Sequence, residues 1–185
     1  MSSNGVVEVP GPPLPAWAAG VNALSRAFGV FSAALIVVAI AVICQMVFVR
    51  AVLGQSAIWQ TEFSIFAIVA ATFLGAPYIL LTRGHVAVDV LPLMVGHEAR
   101  RWMFVVGYTV MLAFCLLFLW ASFPWWHETW ASNQTTSSIW RARLWIPYLA
   151  VPVGLALLCV QILTELVLVL GRWSNPFHLR PDERL

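Results

Sequence analysis

Four long apolar stretches that carry almost no charge limit what this chain can fold into. They lie at about residues 28–49, 59–81, 102–123 and 144–170 of the 185-residue sequence. An α-helix rises about 1.5 Å per residue, so about 20 apolar residues cross the hydrocarbon core of a bilayer. The sequence therefore predicts an all-α integral membrane protein with four transmembrane helices, which form a membrane domain over residues 26–171.

The composition fits a membrane protein and argues against nucleic-acid binding. Hydrophobic residues make up 61% of the chain and charged residues only 10%, whereas an ordinary soluble domain has about 25% charged residues. The formal net charge is only +2, and a nucleic-acid-binding surface needs a concentrated basic stripe. We expect the lipid bilayer to surround the chain, and we expect no nucleic acid as a partner.

The segments outside the apolar stretches predict an arm, an interfacial segment, a loop and a tail. Residues 1–25 are rich in proline and predict a disordered or surface-lying N-terminal arm. Residues 82–101 alternate apolar and charged side chains, which indicates a segment lying in the membrane interface between the second and third helices. Residues 124–143 combine tryptophans with polar residues, as expected for a loop at headgroup level. Residues 172–185 form a polar tail.

The distribution of arginine predicts the orientation of the chain in the membrane. An even number of transmembrane helices places both termini on one side, together with the segment at 82–101. That side carries seven arginines and the other carries only Arg50, Arg141 and Arg143. Because cytoplasmic segments are enriched in Lys and Arg, we predict that both termini, and hence the tail, are cytoplasmic.

Small residues recur along one face of the second predicted helix. Ala67, Ala71 and Gly75 are spaced four residues apart, so they share a helix face. Small side chains let two membrane helices approach closely. We therefore predict that this face packs against another helix.

Polar residues flank the same helix at its two ends and are predicted to anchor it at the membrane interfaces. They are Trp59, Glu62, Arg83, Gly84, His85 and Asp89. Glu62 is expected in the first helical turn, where the helix dipole favours an acid by about 0.3–1 kcal/mol. Gly84 permits a sharp turn because it tolerates backbone angles that other residues avoid. Glu165, late in the fourth helix, is expected to reach the interface in the same way.

Other classes of function find little support in the residues. His85 and Asp89 are four residues apart, a spacing found in metal sites, but no third ligand is evident, so we expect no metal and no cofactor. A membrane enzyme needs convergent reactive groups, and the candidates, His85, Asp89 and His127, fall on opposite sides of the membrane. We therefore predict that the chain is not an enzyme. A self-associating small channel or exporter remains an alternative.

A set of short motifs, taken together in order, resembles the small membrane subunit of tripartite ATP-independent periplasmic (TRAP) transporters. The resemblance extends over residues 26–171 and rests on Trp59, Glu62, Gly75, the run Arg83-Gly84-His85, Asp89, the stretch LWIPY at 144–148, Pro152 and Gly154. It implies a four-helix scaffold bound to a large membrane subunit, which would be a separate chain and hold the substrate and sodium sites. It also implies a bacterial inner-membrane location and a secondary transporter that imports an organic anion delivered by a periplasmic binding protein.

The resemblance gives the flanking residues and the tryptophan-rich segment possible roles in assembly. The polar residues around the second helix are then expected to support subunit assembly as well as anchoring. Trp130, Arg141 and Arg143 are candidates for receiving the binding protein, because aromatic residues and arginine are enriched at protein interfaces. The alternative for Trp130 is an ordinary aromatic belt at the membrane surface.

Overall fold

The computed structural model describes residues 15–56, 58–82, 96–171 and 173. Within them it contains five helices: α1 (Ala16–Leu53), α2 (Ile58–Leu81), α3 (His97–Ala131), the short α4 (Trp145–Tyr148) and α5 (Ala150–Leu170). The first three, and α4 with α5 taken together, form four segments long and apolar enough to cross a membrane. The predicted all-α membrane fold with four transmembrane helices is therefore confirmed.

The first helix begins earlier than the sequence analysis expected. It starts at Ala16, whereas residues 16–25 were assigned to the N-terminal arm. The last residue of the proline-rich run, Pro15, directly precedes the helix with φ −58° and ψ 143°, and four of the ten residues after it are alanine, the best helix former. The helix ends where Gly54 takes a left-handed conformation, φ 62°, which is a common way to terminate a helix.

The third helix is also longer than expected, at both ends. It includes the end of the predicted interfacial segment and continues through Pro124 to Ala131, so the expectation of a loop over 124–143 is wrong for residues 124–131. Membrane helices tolerate an internal proline because neighbouring groups can satisfy the backbone carbonyl that it leaves free. The residues from 125 to 131 contain no further proline or glycine, and Trp125, Trp126 and Trp130 lie on the helix itself.

The last helix, α5, lies at the centre of the bundle. It packs against α1, α2 and α3, and α1 also packs along α2. The hydrophobic core lies between α2, α3 and α5, where it contains Leu80, Cys115, Leu158, Cys159, Ile162 and Leu166. By contrast, α1 and α3 leave most of their apolar surface exposed, as expected for helices at the outside of a bundle in lipid.

Two of the helices exceed the thickness of a bilayer. At about 1.5 Å per residue, the 38 residues of α1 span about 57 Å and the 35 residues of α3 about 52 Å. The hydrocarbon core is only about 30 Å thick. These helices therefore either cross the membrane at a tilt or extend beyond its apolar core.

Candidate helix-packing and docking sites

The small residues of α2 lie where this helix meets α1. The Ser32 hydroxyl donates a hydrogen bond of 2.5 Å to the carbonyl of Ala71. A Cβ atom added at Gly75 would come within 2.6 Å of the Ser32 oxygen, and one added at Gly29 would collide with the ring of Tyr78. The two helices therefore approach each other closely over more than one turn.

The same helix meets α5 at a second close contact. A Cβ atom added at Gly154 would lie 2.6 Å from the carbonyl carbon of Phe73 and would also clash with its carbonyl oxygen. Ala67 and Ala71 are only 5% and 3% exposed. The helix-packing residues predicted from the sequence are thus all buried, and Gly154 adds a contact between backbones on the other side of α2.

A buried amide links α1 to α5. Gln161 has no exposed surface; its Oε1 accepts a hydrogen bond of 2.7 Å from Ser25, and its Nε2 donates one of 3.0 Å to Asn22. We call this the Gln161 bridge. The sequence pattern does not reveal this link, because Asn22 and Ser25 lie in the predicted arm. The available signal is that Gln161 is the only Asn or Gln in α5, since buried amides need partners.

Charged side chains gather where α3 begins and α5 ends. The guanidinium of Arg101 donates a hydrogen bond of 2.8 Å from Nη2 to the carbonyl of Leu170, which has no partner within its own helix. Arg100 and Glu165 are buried, 1% and 6% exposed, and neither is free of interactions. The expectation that Glu165 extends to the interface is therefore wrong, because its helix is central and this face points into the bundle.

The predicted anchors at the start of α2 have different environments. Trp59 is 43% exposed, whereas Glu62 is partly buried and its Oε2 has no hydrogen-bond partner among the described residues. The same holds for Oε1 of the buried Gln60. Because α2 begins at Ile58, Glu62 is its fifth residue and the first turn contains no acidic residue. The expected helix-dipole contribution of Glu62 is therefore a wrong prediction.

The anchors predicted beyond the end of α2 fall in a part of the chain that the structure does not describe. Arg83, Gly84, His85 and Asp89, with the rest of the interfacial segment up to residue 95, lie outside the described residues.

The segment 132–144, between α3 and α4, is a compact turn held by its own hydrogen bonds. The amide of Thr136 donates to the carbonyl of Ala142 at 3.0 Å, and the amide of Leu144 donates to that of Gln134 at 3.1 Å. Arg141 adopts a left-handed backbone conformation, φ 47°, which is uncommon for a residue other than glycine. The turn presents Arg141 and Arg143 as exposed side chains.

Aromatic rings join the end of α3 to α4. Trp125 stacks on Tyr148 with ring centroids 4.3 Å apart, and Trp126 lies parallel to Trp130 at 6.2 Å. The indole of Trp126 also donates a hydrogen bond of 3.0 Å to the carbonyl of Trp145. Trp130 is 50% exposed, so part of its ring is available for contact.

Comparison with known proteins assigns the chain to a family. The family model described as "Tripartite ATP-independent periplasmic transporters, DctQ component" matches residues 39–172, which is more than half of the chain. No curated protein and no solved structure gives a significant match. The matched region contains α2, α3, α4, α5 and residues 39–53 of α1. The chain therefore belongs to the DctQ component family of TRAP transporters, as its sequence motifs suggested.

Proposed function

We propose that this chain is the small scaffold subunit of a sodium-coupled secondary transporter. In this proposal a large membrane subunit carries out transport, and a periplasmic binding protein delivers an organic anion for import into the cell. The observation that carries the proposal is the family match over residues 39–172, because a component of a tripartite transporter acts together with partner subunits.

The packing of the bundle supports a scaffold role. Close contacts at Gly29, Gly75 and Gly154 and the Gln161 bridge connect α1, α2 and α5. Packed helices of this kind resist continuous deformation. A rigid four-helix unit is suited to holding a moving partner in place.

The same family membership supports a bacterial inner-membrane location, and the distribution of arginine supports cytoplasmic termini. In this orientation, seven of the ten arginines are cytoplasmic, as the positive-inside rule requires. The segment 132–144 then faces the periplasm, where Trp130, Arg141 and Arg143 are exposed and available to the binding protein. Trp59 and Glu62 lie in the first turns of α2 on the same periplasmic side, whereas Arg83, Gly84, His85 and Asp89 anchor the scaffold at the cytoplasmic interface.

The test is to purify the tagged chain from cells that also express the neighbouring reading frames. We expect a much larger membrane protein to copurify in a fixed ratio. In proteoliposomes, this complex should import an organic anion only with the binding protein present and an inward sodium gradient imposed. A chain that purifies only with itself and conducts solute alone would support a small channel instead. Uptake unaffected by sodium would contradict the proposed sodium coupling but not the proposed assembly with a large subunit.

A further inference from the structure

A groove of about 710 Å³ runs along the outside of the bundle between α1, α2 and the start of α5. Its walls are mainly aromatic and aliphatic, with Phe31 and Leu35 from α1 and Phe63 and Leu74 from α2. Arg141 and Arg143 line it at the end where the segment 132–144 closes over the helices. The groove thus combines an apolar floor with a cationic mouth.

The two arginines at the mouth lack compensating charge. Neither guanidinium has a side-chain hydrogen bond or an ion pair within the described part of the chain, and none of the residues lining the groove is acidic. The hydrogen-bonded turn around Arg141 keeps both residues at this position. The site is therefore complementary to a negatively charged group at the level of the membrane surface.

The groove is at least as long as one leaflet of a bilayer is thick. Phe63 and Leu74 lie eleven residues apart on α2, which corresponds to about 16 Å along the helix axis, and Phe28 of α1 extends the lining beyond Leu74, to the level of Tyr78. Half of a hydrocarbon core of about 30 Å is about 15 Å. An acyl chain whose headgroup lies at the arginines would therefore lie beside apolar side chains along most of its length.

We propose that this groove binds an anionic phospholipid, with its phosphate at Arg141 and Arg143 and an acyl chain along α1 and α2. The two guanidinium groups favour a lipid over an apolar helix of a partner, because such a helix would leave both charges uncompensated. In the proposed orientation the lipid comes from the periplasmic leaflet. The site requires neither the transport activity nor the binding protein.

The experiment measures lipid binding to the full chain, purified alone and as the copurified complex, by native mass spectrometry. Phosphatidylglycerol should bind more tightly than phosphatidylcholine with the same acyl chains. A basic residue at a membrane surface contributes about fivefold to the affinity for anionic lipid. The double variant Arg141→Gln, Arg143→Gln should therefore weaken phosphatidylglycerol binding by about 25-fold. Arg50→Gln, an exposed residue on the same side of the bundle but outside the groove, should leave it unchanged.

A second variant tests the apolar part of the site without altering charge. Ala70→Phe places a ring in the groove and should displace the acyl chain, whereas Ala113→Phe on the exposed face of α3 should have no effect. Equal binding of the two lipids, or binding unaffected by both groove variants, would overturn the proposal. Glycerol phosphate binding as tightly as phosphatidylglycerol would indicate an anion site without a lipid. If Ala70→Phe blocks association with the large subunit but leaves lipid binding intact, the groove receives a helix of that subunit instead.

Discussion

At the scale of single residues, three glycines differ sharply in what surrounds them. An added methyl group at Gly154 meets the backbone of Phe73, one at Gly75 meets only the side chain of Ser32, and one at Gly107 meets nothing within 4 Å. A backbone cannot move out of the way as a hydroxyl group can. The tolerance of these positions to substitution should therefore follow their surroundings.

We expect Gly154→Ala to lower the stability of the bundle most. Overpacking typically costs about 1–3 kcal/mol, and Gly154→Ala should lie at the upper end because α2 and α5 must separate. Gly75→Ala should cost less, and combining it with Ser32→Ala should recover part of the loss. Gly107→Ala is the control and should be neutral or slightly stabilising, since alanine favours a helix by about 1 kcal/mol over glycine. Denaturation in mixed detergent, followed by circular dichroism, measures the free energy of unfolding of each variant and so gives the order of their stabilities. Equal losses at all three positions would contradict close packing at Gly154.

At the scale of elements, the turn 132–144 and the end of α3 contribute to two proposed surfaces that can be separated by mutation. Arg141 and Arg143 line the groove, whereas Trp130 does not. A substitution at Trp130 therefore reports on docking of the binding protein without altering the lipid site. A substitution at either arginine would affect both the proposed docking surface and the proposed lipid site.

Replacing Trp130 with alanine should raise the concentration of binding protein that gives half-maximal transport. A contributing aromatic residue at an interface is typically worth about 1–2 kcal/mol, which corresponds to about a five- to thirtyfold change. Trp102→Ala is the control, because this residue is also exposed but lies at the opposite end of α3. An unchanged dependence on binding-protein concentration in the Trp130 variant would assign the ring to the membrane interface alone.

The predicted anchoring by His85 and Asp89, which lie outside the described residues, should be tested through assembly. His85→Ala and Asp89→Ala are expected to lower the yield of the complex, because a weakened anchor lets the ends of α2 and α3 move. The sodium and substrate affinities of the complex that still assembles should be unchanged. Size-exclusion yield and uptake assays give both quantities. A normal yield with altered sodium coupling would place these residues in the transport mechanism.

Sequence patterns predicted the elements better than their ends and their contacts. The four helices follow from apolar length alone, which fixes what can cross a bilayer. The predicted start of α1 and the predicted end of α3 were wrong. Residues 16–25 and 124–131 contain or adjoin prolines, tryptophans and polar residues. Such residues occur both in loops and in helices that extend out of the membrane, so they do not distinguish the two. The Gln161 bridge and the burial of Arg100 depend on which helices are neighbours, and the sequence alone does not specify this.

At the scale of the whole molecule, the proposed orientation can be read from single cysteines. In a Cys44→Ala background, which removes the cysteine exposed in the described structure, Ser132→Cys should react with a membrane-impermeant reagent added to the periplasm. Glu98→Cys, exposed at the start of α3, should react only after the membrane is opened. The reverse pattern would place the termini in the periplasm and move the proposed docking surface to the wrong side of the membrane.

The central position of α5 has a consequence for how the protein is made. Translation delivers α1, α2 and α3 to the bilayer before α5, yet α3 packs mainly against α5 and the Gln161 bridge cannot form without it. Until α5 is inserted, α3 therefore lacks its main packing partner, and Asn22 and Ser25 lack their hydrogen bonds to Gln161. We expect chains arrested before residue 150 to be degraded faster than chains arrested after residue 171. Pulse-chase labelling of the two arrested products would measure this difference, and equal half-lives would mean that the first three helices form a stable unit before α5 arrives.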